Sequence, residues 1–256
     1  MRSRHIPLLI LGGALLALCG AGAETQSHLK PVCEDKSLDG YKLAWHDEFD
    51  GDKLNESEWQ YRTGSRLWSM NQPQNVSVSG GLLRIALRKE TVGKFNYTSG
   101  GVISKRTFKH GYYEARFRCP PDKGWHTSFW TDPYHIETTG SAQEIDICEQ
   151  DSIDPHVYSC NLHQWKPTHK GLGAKRIKTP DLARDFHVWG CEFTPGEVRF
   201  FFDGKLVATK DAAGIKHDEQ SIWLTSIAAS LSHTDAVDDR HLPLYAEFDW
   251  VRFYRK

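Results

Sequence analysis

The feature that most limits what this chain can fold into is a period of two. In "NVSVSGGLLRIALRK" the apolar residues Leu83, Ile85 and Leu87 alternate with their neighbours behind a Gly80-Gly81 pair. In "GYYEARFRC" Tyr113, Ala115 and Phe117 take one face, and Glu114, Arg116 and Arg118 take the other. Side chains on a strand alternate faces with this period, whereas a helix repeats near 3.6. "EVRFFFDGKLVATK" reads as a hairpin turning at Asp203-Gly204, since Asp-Gly tolerates the positive φ of a tight turn. "HVWGCEF", "SIWLTSIAAS" and "AEFDWVRFYRK" supply further strands. Helical periodicity is absent, although "PDLARDFH" has room for a turn or two from Pro180. Many short strands joined by loops rich in Gly, Pro and Asp predict an all-β antiparallel sandwich or barrel.

No linker, low-complexity block or repeat divides the strands, so residues 41–256 are expected to form one domain. Residues 24–40 are polar and read as a leader or linker. The net charge of -1 argues against a nucleic-acid partner, which calls for a basic excess. Arg2 and Arg4 precede an apolar run ending at Ala21-Gly22-Ala23, the form of a secretory signal over residues 1–23. That run is short for a membrane anchor and no basic stop-transfer follows, and the bulky Leu18 disfavours lipidation at Cys19. The expectation is a secreted or periplasmic monomer, maturing near Glu24, without stable membrane insertion. After the signal come Cys33, Cys119, Cys148, Cys160 and Cys191. Their odd number prevents complete pairing within one chain, and their spacings fit no zinc motif.

The chemistry concentrates in "QEIDICEQ", which carries Glu144, Asp146 and Glu149. On a regular strand the first two share a face and Glu149 points away. A solvated strand face is the ordinary explanation for such acids. The apolar Ile145, Ile147 and Cys148 oppose it, as does the mutual repulsion of stacked like charges. A calcium loop would bring Asn, Gly and backbone carbonyls, which this flat β-branched stretch lacks. Paired catalytic carboxylates fit better. A bulge at Ile147-Cys148 would reset the alternation and return Glu149 to the face of the other two. Glu144 and Glu149 then stand about 13 Å apart at Cα, and inward-leaning side chains close their carboxyls to about 5–6 Å. That separation suits a retaining glycosidase, and at least one of the three carboxyls must hold a proton at neutral pH. Spacing alone does not say which acid is the nucleophile.

"EIDICE" resembles the E-x-D-x-x-E signature of glycoside hydrolase family 16 in its bulged form, the laminarinase-, agarase- and carrageenase-like branch. "LAWHDEFDGDKLNESEW" is similar to the family's opening strand, and "TSGGVISKRTFKHGYYEARFRCPPDKGWHTSFW" to its run into the cleft. "DFHVWGCEFTPGEVRFFFDGKLV" and "FDWVRFYR" are similar to its closing strands. The resemblance implies a β-jelly-roll sandwich with a concave substrate cleft, cutting internal β-1,3 or β-1,4 linkages of a β-glucan or galactan with retention. It implies Glu144 as nucleophile, Glu149 as acid/base and Asp146 as the helper that tunes both. Trp125 and Trp130 fall where the family lines its cleft with rings, and Trp68 and Trp165 are further cleft candidates. His163 sits where galactan-cleaving relatives place a subsite histidine, with a structural strand histidine as the competing reading. No cofactor is implied for catalysis, although a structural calcium ion with Asp249 as ligand fits some members. The chain has His126-Thr127-Ser128 where β-1,3-glucanases of the family carry Pro-Ala, which leaves agar-like or carrageenan-like galactans open as substrates. Arg66, Lys105, Arg106, Lys166 and Lys175 are candidates to hold sulfate groups, or are solvated surface. The competing functions are a non-catalytic carbohydrate-binding jelly roll and a transglycosylase.

Overall fold

A computed structural model describes residues 29–133, 142–215, 217–229 and 235–256. The expected signal over 1–23, with Cys19 and Glu24, lies outside the described residues. The first strands are β1 (Lys42–Asp47), β2 (Trp59–Tyr61), β3 (Gly64–Arg66), β4 (Ser69–Asn71), β5 (Val76–Ser79) and β6 (Leu82–Val92). Then come β7 (Phe95–Ser104), β8 (Gly111–Arg118), β9 (Trp125–Asp132), β10 (Gln143–Asp151), β11 (Val157–Gln164) and β12 (Lys170–Gly171). The chain closes with β13 (Lys175–Lys178), β14 (His187–Phe193), β15 (Glu197–Phe202), β16 (Lys205–Asp211), β17 (Ser221–Ala228) and β18 (Leu244–Arg255).

The pairings make two layers. One runs β2-β7-β17-β9-β10-β11, with β12 and β13 on the far edge of β11. The other runs β6-β18-β8-β14-β15-β16, with β5 beside β6 and β1 beside β18. Pairing between β6 and β7 joins the layers at one side. The strand pairs are antiparallel except β4 with β7. The architecture is the antiparallel sandwich that the alternation predicts, in the jelly-roll form that the resemblance implies.

The alternation decides what lies between the layers. Leu83, Ile85, Leu87, Tyr113, Ala115 and Phe117 of one layer meet Phe129, Ile145, Leu162 and Leu224 of the other in a single buried cluster. Within it Phe117 stacks on Trp189 with ring centres 3.8 Å apart. Burying one such side chain fully is worth about 1.5–3 kcal/mol, so period-two patterning supplies the main drive for closing the sandwich. The turns also follow the sequence. Gly80 and Gly81 have φ of 60° and 74°, and Asp203 and Gly204 have 46° and 77°, the positive pair of a two-residue hairpin. "PDLARDFH" forms only a turn, with the Arg184 N–H donating to the Asp181 carbonyl. Among the described residues no helix is long and apolar enough to cross a membrane.

The described part of the polar leader is not a loose linker. It docks on the outer layer, where the Val32 N–H donates to the Glu114 carboxylate at 2.9 Å. Arg199 bridges Asp35 of the leader to Glu192 of β14, and Leu38 packs with Tyr112, Phe201 and Tyr254. Glu114 therefore ends buried, and burial pushes its carboxyl up to about 8. Gly190 makes this packing possible, because a Cβ there would lie 2.0 Å from the hydroxyl of buried Tyr112. Gly190→Ala is expected to lose on the order of 2–3 kcal/mol and about 5–10 °C of Tm. A thermal melt within 1 °C of wild type would show that no such close approach exists.

Candidate active site

The site lies on the concave face of the layer built from β7, β17, β9, β10 and β11, and strand register decides which side chains reach it. On β9, His126, Ser128, Trp130 and Asp132 occupy every second position and so share one face. Asp146 pairs with Trp130, Glu149 with Ser128, and Asp151 with His126. Directly opposed residues on an antiparallel pair lie on the same face. Three residues of β10 thus span what two span on β9, and the register shifts between Asp146 and Cys148. This is the bulge that the spacing of "EIDICE" requires. Cys148, paired with Phe129, stays in the core, and Glu149 returns to the concave face beside Glu144 and Asp146.

The neighbours of the three acids set their protons. Glu144 pairs with His163 and accepts from the Trp165 indole N–H at 3.2 Å. Asp146 is 4% exposed, and the His163 ring nitrogen stands 3.2 Å from its carboxylate. One ligand-type atom of each of Glu144, Asp146 and His163 lies within 4.8 Å of the others. Burial, with Asp146 and then Asp132 adding repulsion, pushes the Glu144 carboxyl up to about 8. His163 and the Trp165 N–H oppose that rise. Asp146 is raised well above the ordinary range by burial, then by Glu149 and Asp132. Burial lifts Asp132 to about 6. Carboxyls crowded in this way hold protons that isolated acids would lose.

A cavity of about 200 Å³ opens over Glu144 and Asp146, walled by Arg62, Arg66, His126 and Trp130. Trp130 stacks on Trp223 with ring centres 4.5 Å apart and donates its indole N–H to Thr225. The Arg62 guanidinium lies 5.5 Å from the Trp223 ring centre and 6.0 Å from that of Trp130. Its backbone N–H is held by the Gly101 carbonyl at 2.8 Å.

Trp130, His163 and Trp165 therefore stand at the site, with Trp165 44% exposed and in a ring stack with His163 and His169. Trp68, 37% exposed, lines a neighbouring cavity with Phe95 and Tyr97 rather than the one over the acids. Trp125 does not line the cleft, and that expectation is corrected. It is fully buried in the core beside Phe129, because five positions separate it from Trp130 and odd spacing reverses the face. Asp249, the calcium candidate, has a carboxylate that accepts from Arg116 of the neighbouring strand. Of the basic residues proposed as sulfate holders, Arg66 lines the cavity, whereas Arg106 lies 3.7 Å from Glu58 elsewhere. Arg62, Asp132 and Trp223 are site residues that the sequence reading passed over. The parity of β9 would have placed Asp132 with Trp130. The cysteines Cys33, Cys119, Cys148, Cys160 and Cys191 are free thiols.

Comparison with known proteins agrees with this geometry. A family model described as "Beta-porphyranase A-D, GH16 domain" matches residues 43–256. A β-glucanase of Rhodothermus marinus is 31% identical over 246 residues, covering 84% of this chain and 85% of that protein. A glucan endo-1,3-β-glucosidase of Cryptopygus antarcticus is 29% identical over 186 residues, 66% of this chain and 68% of that protein. The crystal structure of a laminarinase from Flavobacterium sp. UMI-01 superimposes with a TM-score of 0.75 at 26% identity, covering 84% of this chain and all of that one (100%). With its bulged acid strand, jelly-roll layers and a family match over most of its length, the chain belongs to glycoside hydrolase family 16, a family of retaining glycosidases.

Proposed function

We propose that this chain is an exported, monomeric endo-hydrolase of a sulfated β-galactan, with Glu144 as nucleophile, Glu149 as acid/base and Asp146 as their helper. The Glu144 carboxylate attacks the anomeric carbon while Glu149 gives its proton to the glycosidic oxygen, and the C–O bond breaks. Glu149, now a carboxylate, takes a proton from water, whose oxygen displaces Glu144 from the same carbon. Two inversions return the original β configuration. Asp146 shares a proton with Glu144: while ionised it raises the Glu144 carboxyl, and once protonated it stabilises the anionic nucleophile by hydrogen bonding. Trp130, backed by Trp223, lines the cavity and offers a flat face for a sugar ring.

The observation that favours a sulfated substrate is Arg62. It stands in the cavity over the acids without a carboxylate partner among the described residues. Burial, with Arg66 nearby, lowers its pKa only to about 10, so it stays cationic at neutral pH. A guanidinium stacked over two indoles and open to the cleft suits a sulfate ester, which it can grip with paired N–H donors. The family model that matches is named for β-porphyranases. Reducing-end release from porphyran, agarose, carrageenan, laminarin and lichenan is the test. Porphyran or carrageenan should be cleaved fastest, and Arg62→Ala should raise KM on the sulfated polymer about tenfold while sparing its desulfated form. Preference for laminarin, with Arg62→Ala neutral, would refute the sulfated-substrate reading.

A further inference from the structure

His126 stands between two carboxylates, and the catalytic step as drawn so far leaves it unused. Its side chain is 6% exposed. Its Nδ1 lies 3.0 Å from the Asp151 carboxylate, and its Nε2 lies 3.6 Å from Oε1 of Glu149. An ionised Asp can only accept, so Nδ1 carries the hydrogen and Nε2 is turned to Glu149. Register fixes the arrangement. His126 pairs with Asp151, Glu149 lies one pair further along the same face, and the bulge at Ile147 is what brings them together. On the other side β17 presents Ile227 opposite His126, which adds no charge. The other charged groups around them are Arg62, Arg66, Glu144 and Asp146 at the cavity that His126 lines, and Asp154 and Arg176 at a second cavity shared with Glu149 and Asp151.

We infer that His126, oriented by Asp151, is the positioning residue of the acid/base Glu149. This rests on the reading of Glu149 as acid/base. His126 faces one carboxyl oxygen at ion-pair distance and so leaves the other for proton transfer to and from the glycosidic oxygen. When Glu149 has given up its proton, the Nε2–H that the His126 imidazolium carries throughout, its charge balanced by Asp151, stabilises the resulting carboxylate. The arrangement is an imidazole oriented by a hydrogen bond to Asp151 and turned to a carboxyl at ion-pair distance. The proton count is unchanged, since the proton that leaves Glu149 in the first half-reaction returns from water in the second.

The test is the pH dependence of kcat/KM on the cleaved polysaccharide, whose basic limb reports loss of the proton from the acid. His126→Ala is expected to lower kcat about 10- to 100-fold with KM nearly unchanged, and to move the basic limb upward because the neighbouring positive charge is gone. Asp151→Asn should move the limb the same way by less. His126→Gln, which keeps a hydrogen-bonding side chain but carries no charge, should recover part of kcat and keep the shifted limb. That variant also serves if His126→Ala does not fold. Wild-type limbs in both His126 variants, or a loss confined to KM, would overturn the inference. Glu149→Ala with added azide separates the two levels, because azide attacks the glycosyl-enzyme without a base. If azide accelerates Glu149→Ala while the His126 variants keep wild-type limbs, only the positioning role fails. If Glu149→Ala retains full polysaccharide hydrolysis without azide, the acid/base assignment fails and the inference with it.

Discussion

Glu144→Gln is expected to lower kcat on the polysaccharide by at least about 10⁴-fold while leaving substrate binding nearly intact. The amide keeps the shape and accepts the Trp165 N–H, but it cannot form the glycosyl-enzyme ester. The same variant should be more stable than wild type at alkaline pH, and the sign follows from the raised pKa. Glu144 sits at about 8 in the folded protein, against an ordinary 4.5. The folded state therefore binds the proton more tightly than the unfolded chain does. Its stabilising effect is complete below about pH 4.5 and is lost as pH rises through 8. Gln removes this dependence, so the Tm gap should open between those values and reach a few degrees, roughly 2–4 °C, at pH 8–9. Residual activity above one per cent, with no change in the pH dependence of Tm, would remove Glu144 from the role of nucleophile.

Asp146→Asn carries the second large effect. After burial itself, the charge of Asp146 is the largest cause that raises Glu144. Attack requires Glu144 ionised, so the acidic limb of kcat/KM in the wild type should lie well above the usual carboxylate range. Replacing Asp146 by Asn removes the repulsion, and the limb should move to lower pH. At the optimum kcat should still fall about 10²-fold, because the amide cannot share a proton with Glu144 as the conditions of the two half-reactions change. An acidic limb that stays in place, or moves upward, would mean that the Glu144 ionisation is set by something other than its strand neighbour.

Much of this site is legible because its determinants are local. Two-residue alternation fixes which side chains face the core, and an acid pattern of two-then-three spacing demands a bulge if all three acids are to meet. Both are properties of one strand. Trp125 shows a local signal overlooked. Its five-residue offset from Trp130 already places the two on opposite faces, and it went into the core where parity puts it. Asp249 shows the opposite case. That its partner is Arg116 depends on how β18 lies against β8, which pairs residues 133 apart in the chain. Arg62 and Trp223 come to Trp130 through similarly distant pairings across β7, β17 and β9. The docking of the leader was not legible for the same reason. Its partners Glu114 and Arg199 lie 82 and 164 residues along the chain from Val32 and Asp35. A polar sequence whose partners are that remote carries no sign of docking.

The central claim is that the bulged strand places Glu144 and Glu149 for double displacement on a β-linked galactan. Proton NMR of the first oligosaccharides released from the cleaved polymer tests it most directly. The account predicts that the β-anomeric proton of the new reducing end appears first, with the α signal growing only as mutarotation proceeds. Initial appearance of the α anomer would contradict it.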